Sequence, residues 1–387
     1  MPAGTSSSRS RPSRSAKGHC LETDIPEIAA ALSAEANAFS GATVLLCGGH
    51  GFLGRYFISL FRFLNERVLP KPCRLIVLDN HITSGALGDV EAEGERGYRY
   101  LRHDVIRPLT IDEPLDYVIH AAGIASPYYY RKYPLETLEV ATIGTKNLLA
   151  LGRSHPLKGF LFFSSSEVYG DPDPRFVPTP ETYRGNVSAL GPRACYDESK
   201  RLGETLCMIF QQLHGVPTRT VRPFNVYGPG MQEADYRVLP NFAGRILKGE
   251  PLNIYGDGTQ TRTFCYVTDA MIGFTKALVR GRSGEVYNIG NPSPEVSMLD
   301  LAKAMEQTLG RALEIRLVDH PSSYPADEPQ RRCPDIRKAA AELGYQPAVP
   351  LPEGLARFFA WAQRHYTSAA TPPTPRRSRR SVASSST

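Results

Sequence analysis

Between residues 42 and 222 the chain alternates two textures. Short, nearly all-apolar runs lie at 42–47, 73–79, 116–121 and 159–164, and more mixed ones at 98–104 and 218–222. Between them, apolar positions recur at helical spacing over 55–68, 135–153 and 196–214. Runs apolar on both faces predict strands buried on both sides, and their alternation with helices predicts parallel strands joined by helical crossovers. The fold class expected is therefore α/β, a doubly wound parallel sheet (Rossmann) over 42–228. Ahead of it, Ile25, Ile28, Ala29, Leu32, Ala36 and Phe39 keep helical spacing and predict a flanking helix within 25–41. Beyond Tyr227 the texture becomes finer. Short helices at 238–248, 268–279 and 298–308 mix with brief strands at 251–255 and 314–318, which predicts a smaller C-terminal α/β substrate-binding region over 229–366.

The net charge of +6 belongs to the ends. Arg9, Arg11, Arg14 and Lys17 stand in an acid-free Ser-rich start, and Arg376, Arg377, Arg379 and Arg380 in an acid-free Pro/Ser/Thr tail. Without those eight bases the body has 37 bases against 39 acids. Segments 1–24 and 367–387 are expected to be disordered, and nucleic acid is not an expected partner of the folded body. No apolar run approaches the ~18 residues that span a bilayer, and the start lacks a secretory apolar core. Seven scattered cysteines without a Cys-x-x-Cys pair fit reduced thiols in a cytoplasmic protein. The nine histidines show no ligand spacing, so no metal is expected.

The first candidate chemistry is Gly48-Gly49-His50-Gly51-Phe52-Leu53-Gly54, between the first predicted strand and helix. Glycines there allow a tight turn, close backbone approach to a pyrophosphate and helix-on-strand packing, while the helix N-terminus faces the phosphates. Asp79-Asn80 ends the second strand, where a carboxylate accepts hydrogen bonds from ribose hydroxyls, favouring NAD over its 2′-phosphorylated form. Asp104-Val105 and Ala121-Ala122 end the third and fourth strands, one suited to the adenine and the other small enough to let a dinucleotide lie close.

The second is a strand at 159–163 that delivers Ser165, Ser166 and Glu167, followed by Tyr196 and Lys200 four residues apart on a predicted helix. That spacing stacks phenol and ammonium on one helix face. An adjacent ammonium lowers a phenol's pKa from about 10, which suits removal of an alcohol proton while its carbon gives up hydride. A Tyr-x-x-x-Lys pair alone is common; its position after a glycine loop and a Ser/Glu strand end makes it specific.

In this order the motifs resemble the extended short-chain dehydrogenase/reductases acting on nucleotide sugars, and most of all the UDP-glucuronate decarboxylases. Ser-Glu-Val-Tyr-Gly-Asp-Pro (166–172), Gly-Pro-Arg-Ala-Cys-Tyr-Asp-Glu-Ser-Lys-Arg (191–201), Gly-Glu-Pro-Leu (249–252), Gln-Thr-Arg (260–262) and Pro-Asp-Ile (334–336) carry the likeness, which spans 42–365. The resemblance implies that Tyr196, activated by Lys200, takes the C4 hydroxyl proton as hydride passes to NAD, and that Ser165 holds the C4 oxygen. Once C4 is a ketone the C6 carboxylate is β to it and leaves as CO2. It further implies Glu167 and Ser166 near C5, Arg262 near the carboxylate, Asn225, Arg237 and Tyr255 on the nucleotide diphosphate, Tyr130 facing the sugar, and a homodimer built through helices flanking the active-site helix. Dehydratases of this family carry Asp-Glu at 166 and 167 because a leaving hydroxyl needs an acid; Ser166 removes that acid.

Two positions depart from the family pattern. Glu139 stands where decarboxylases carry a lysine that contacts the sugar nucleotide, and Gly230 where an arginine commonly follows Gly-Pro. They leave open a different nucleotide sugar, or an oxidative decarboxylase that releases the 4-keto pentose. A nucleotide-sugar 4-epimerase or 4,6-dehydratase, and a catalytically silent NAD-binding protein, are the competing readings.

Overall fold

The computed structural model describes residues 21–84, 97–319 and 329–366. Most of the two segments expected to be disordered lies outside these. Helix α1 (Leu21–Ala31) begins inside the first of them, because its Asp24 is drawn into the protein: the side chain is buried and accepts hydrogen bonds from the hydroxyls of Tyr56 (2.9 Å) and Tyr266 (3.1 Å). The flanking helix does not run unbroken to Phe39. It turns, and a 3-10 turn at Ala36–Phe39 seats Phe39 against Phe61 and Tyr117.

Strand β1 (Thr43–Cys47) is wholly buried and runs into α2 (Phe52–Arg67). Then come β2 (Arg74–Asp79), β3 (Tyr98–Arg102), β4 (Tyr117–His120), α3 (Pro127–Lys132), α4 (Pro134–Glu139), α5 (Thr145–Arg153), β5 (Gly159–Phe163), α6 (Ala194–His214) and β6 (Thr218–Pro223). The helix expected over 135–153 is divided by a widened π turn at Val140–Gly144. The hydroxyls of Thr142 and Thr145 donate to the carbonyls of Leu138 (2.8 Å) and Ala141 (2.7 Å), competing with the helical N–H groups there.

The remaining elements are β7 (Val226–Tyr227), α7 (Val238–Lys248), β8 (Leu252–Tyr255), β9 (Thr261–Arg262), β10 (Cys265–Tyr266), α8 (Val267–Arg280), β11 (Glu285–Ile289), β12 (Val296–Ser297), α9 (Met298–Leu309), β13 (Ile315–Val318), β14 (Arg331–Arg332), α10 (Arg337–Leu343) and α11 (Leu351–His365). The main sheet has order β11-β6-β5-β4-β1-β2-β3, every neighbouring pair parallel. Its seventh strand was not expected. β11 comes from within 229–366 and lies beside β6, with Tyr287 opposite Val221. That segment therefore supplies a strand and a crossover helix, α8, to the sheet layer as well as the far wall of the cleft.

Alternation along the strands divides the core. Val44 and Leu46 face the layer of α2 and α8 with Phe57, Leu60, Phe61 and Phe274. Leu45 and Cys47 face α5 and α6 with Leu148, Leu149 and Cys207. Both faces are thus covered, and ligands are left the carboxyl edge of the sheet.

Candidate active site

At that edge the first crevice is a groove built from strand ends. Gly48, Gly51, Asp79, Asn80, Asp104, Val105, Ala121 and Ala122 line it, joined by Ile82, Thr83, Ser84 and His103. Gly48 has φ +82°, and a Cβ there would stand 2.6 Å from the backbone of Ala122. At Gly54 a Cβ would stand 2.1 Å from the carbonyl oxygen of Gly48, so Gly54 is the position at which helix α2 seats on the loop. Gly51 caps α2 without a side-chain cap, leaving first-turn N–H groups for an anion. Asp79 is oriented by the N–H groups of His50 (2.9 Å) and His81 (2.8 Å), and Asn80 donates to Asp104 (3.0 Å). Open backbone, an uncapped helix start and a fixed carboxylate fit a dinucleotide with its ribose at Asp79.

The second crevice, a cavity of about 460 Å³, meets the groove at Ala121 and Gly123, which line both. That volume is of the size that holds a small organic ligand. Ser165, Ser166, Glu167, Tyr196 and Lys200 line its floor, Phe52 and Leu53 the side towards the groove, and Tyr130, Asn225, Arg237, Tyr255 and Arg262 its walls. The ring of Tyr130 stacks on Tyr196 at 5.5 Å. Asn225, at φ +41°, donates to the carbonyl of Thr263 (2.8 Å), and Arg237 forks onto Asp235.

Charge in this cavity is organised around Glu167. Its carboxylate is paired with Arg193 and with Arg332 (2.8 Å), and Arg193 also reaches Asp197 (3.5 Å). Arg332 lies opposite Arg262 in the β14–β9 register, while Arg262 donates to the carbonyls of Thr261 (2.8 Å) and Gln330 (3.2 Å). Glu167 stands in a 3-10 turn, Ser166–Tyr169, whose cap Ser165 accepts the Glu167 N–H (3.2 Å).

Burial dominates the titration of Tyr196 and Lys200. It pushes the Tyr196 phenol up to about 12, against the pull of a hydrogen bond with Ser165 and with the charge of Glu167 adding to it. It lowers Lys200 to about 8, the negative charge of Glu204 opposing. Lys200 Nζ donates to the carbonyl of Phe163 (2.7 Å) and lies 5.7 Å from the centre of the Tyr196 ring. The phenol is thus raised, not lowered as its spacing from the lysine suggested, because desolvation dominates and the lysine stands at the ring and donates to the Phe163 carbonyl. Burial also raises Asp197, the charge of Glu167 adding to it and Arg193 and Arg332 pulling it down.

The two departures fall differently. Glu139 ends α4 and is not among the described residues lining either crevice; Glu136 and Val140 beside it line the groove. Gly230 has φ +96°, where a side chain would be strained, and a Cβ would stand 3.5 Å from the Phe52 ring. Sequence reasoning assigned no role to Arg193 or Arg332. Arg193 lies in the quoted 191–201 stretch, where its proximity to Tyr196 was a usable signal. Arg332 is 165 residues from Glu167, and only the pairing of β14 with β9 brings it in.

The description "NAD dependent epimerase/dehydratase family" matches residues 44–290. UDP-glucuronic acid decarboxylase 5 of Arabidopsis thaliana is 39% identical over 316 residues, covering 82% of this chain and 88% of its own. UDP-glucuronic acid decarboxylase 1 of Xenopus tropicalis is 40% identical over 312 residues, covering 81% and 70%. Among solved structures, UDP-glucuronic acid 4-epimerase from Bacillus cereus in complex with UDP-glucuronic acid and NAD is 25% identical with a TM-score of 0.66, covering 83% of this chain and 99% of that one.

Proposed function

Since the chain belongs to the NAD-dependent epimerase/dehydratase family, we propose that it converts UDP-glucuronate to UDP-xylose by C4 oxidation, loss of CO2 and re-reduction. The observation that carries this reading is the composition of the cavity floor. Ser166 stands beside Glu167, and Glu167 is bridged by Arg193 and Arg332. Asp197, behind Arg193, is not among the described residues lining the cavity, and with Ser166 beside Glu167 the floor lacks the second acid that a departing C6 hydroxyl requires. Decarboxylation needs none, since the C5–C6 bond pair flows into the C4 ketone as CO2 departs. Two guanidinium groups that share the single charge of Glu167 are partly neutralised and hold a substrate carboxylate less firmly than bare ones, so the ground state is less stabilised at the expense of neutral CO2.

NAD bound along the groove would supply the acceptor for the C4 hydride and return it. Tyr196 takes and gives back the C4 hydroxyl proton, Lys200 holds charge beside it, and Ser165 fixes the oxygen through its hydrogen bond with the phenol. On this reading Glu167 helps to reprotonate C5, Arg262 meets the carboxylate, Asn225, Arg237 and Tyr255 hold the diphosphate, and Tyr130 faces the sugar.

The fold also supports a homodimer. Leu135, Leu138, Ile143, Leu202, Met208, Ile209 and Leu213 expose apolar side chains on α4, the π turn and α6, a face suited to a second copy. Among the described residues no helix is long and apolar enough to cross a membrane, and no cluster of metal-ligating side chains is present. Six described cysteines are all unpaired, which fits the cytoplasm. The test is incubation with NAD+ and UDP-glucuronate, following CO2 and product mass. One CO2 per UDP-xylose with no net NADH supports the reading; turnover that keeps the carboxyl rejects it.

A further inference from the structure

One contact belongs to neither the catalytic floor nor the nucleotide walls. The ring of Tyr128 on α3 stacks on that of Tyr236 at 4.8 Å and 16°, although the two residues are 38% and 58% exposed. They belong to opposite sides of the cavity. Tyr128 sits among Pro127, Tyr130 and Arg131, which line it from the sheet side. Tyr236 lines it from the segment that leads from β7 to α7.

That segment, 228–237, is a strap over both crevices. It leaves β7 through Gly228 and Gly230, at φ +155° and +96°. The Gln232 amide then donates to the carbonyls of Thr83 (3.1 Å) and Ser84 (3.0 Å), both lining the dinucleotide groove. Tyr366 holds the carbonyl of Met231 (2.9 Å). At its far end the strap meets α3 through the Tyr236 ring. An exposed ring pair is a contact of small strength, easily made and broken beside a cleft that must open for each turnover.

We propose that the Tyr128–Tyr236 stack is a latch that keeps the strap closed and retains the oxidised sugar until hydride returns to C4. This rests on the decarboxylase reading above. In the complete cycle C4 loses a hydride and a proton, C5 loses CO2 and gains a proton, and C4 regains both, so no net redox change occurs. If the 4-keto pentose escapes before re-reduction, its two electrons stay behind as one NADH per sugar lost. The latch therefore sets the partition between UDP-xylose and free 4-keto product. Tyr128 and Tyr236 are positioning residues, because neither ring needs to touch a reacting atom.

The experiment uses the full chain saturated with NAD+ and variants of native melting temperature. The dissociation rate of base-labelled fluorescent UDP is measured by chase with unlabelled UDP. The ratio of NADH plus 4-keto pentose to UDP-xylose is measured during turnover. Tyr236→Ala and Tyr128→Ala are each expected to raise both quantities roughly two- to tenfold, the range one ring stack supplies. The double variant is expected to exceed neither single by much, since one contact is lost in all three. Tyr236→Phe keeps the ring and is expected to behave as the native protein. Unchanged dissociation in both alanine variants, additive effects, or failure of phenylalanine to rescue would overturn the latch. If UDP binds but UDP-glucuronate yields no CO2, the decarboxylase reading falls, and with it the partition claim, while the dissociation rates still judge the latch.

Discussion

The dinucleotide groove and the sugar cavity meet at Ala121 and Gly123 but are built on different principles. The groove is made of strand ends and a helix start, where backbone atoms and missing side chains do most of the work. The cavity is made of side-chain charge: Glu167 between Arg193 and Arg332, Arg262 beside Arg332, and Tyr196 over Lys200. Backbone recognition is robust to most substitutions because no single side chain carries it. A buried charge cluster is not, since removing one member leaves another unpaired. On the proposed assignment, binding of the dinucleotide and processing of the sugar can therefore be broken separately.

Tyr196→Phe gives the cleanest separation. It should lower turnover by about 10²–10⁴-fold, the contribution of a positioned acid–base group, with NAD affinity by titration unchanged. Loss of NAD affinity instead would show that the phenol belongs to the groove.

Arg332→Met comes next. It strips one of two cations from a largely buried carboxylate, and roughly a 10²-fold fall in kcat is expected, with NAD affinity again intact. A change confined to KM would mean that Arg332 binds the sugar without steering Glu167.

Asp24 lies outside both crevices and serves as a control on stability. Burial raises its carboxyl from 3.8 to about 6, the Tyr56 and Tyr266 hydroxyls and Arg357 pulling it down. A carboxyl raised in the folded state contributes stability that is complete below its unfolded value and is lost as pH rises through the folded one. From pH 4 to 7 the native protein is expected to lose about 2 kcal/mol through this group, and Asp24→Asn to lose none of it. The difference in melting temperature between the two proteins should therefore move in favour of Asn as pH rises. A constant difference would refute the assignment.

Asp79→Asn is the smallest. One amide oxygen remains to accept the His50 or His81 N–H, so NAD should bind only about tenfold more weakly, with kcat at saturating NAD unchanged. A collapse of kcat would mean that the groove is less independent of the cavity than its architecture indicates.

The groove was legible because its parts are local. The glycines follow β1 by one residue, and Asp79, Asp104 and Ala121 each end or follow a strand whose apolar run is visible. Tyr196 and Lys200 were legible for the same reason, being one helical turn apart. The partition of the long helix at Val140–Gly144 was not, because hydroxyl-to-carbonyl bonds at Thr142 and Thr145 override a continuous apolar period. β11 was missed because Glu285 and Asn288 interrupt its apolar run, and only the β6 edge it completes makes Glu285–Ile289 a strand.

The linear chain thus determined the alternation of strand and helix, the glycine turn, and the order of the groups suited to hydride and proton transfer, since these depend on spacings of two to about seven residues. Only the tertiary structure decided what faces what. It set Arg332 beside Glu167, removed Glu139 from the cleft, made burial rather than Lys200 the main influence on Tyr196, and brought Tyr128 against Tyr236. The physical reason is common to all four. Desolvation and side-chain pairing depend on distance through space: Arg332 reaches Glu167, 165 residues away, because β14 pairs with β9, and Tyr236 reaches Tyr128 where the segment after β7 meets α3.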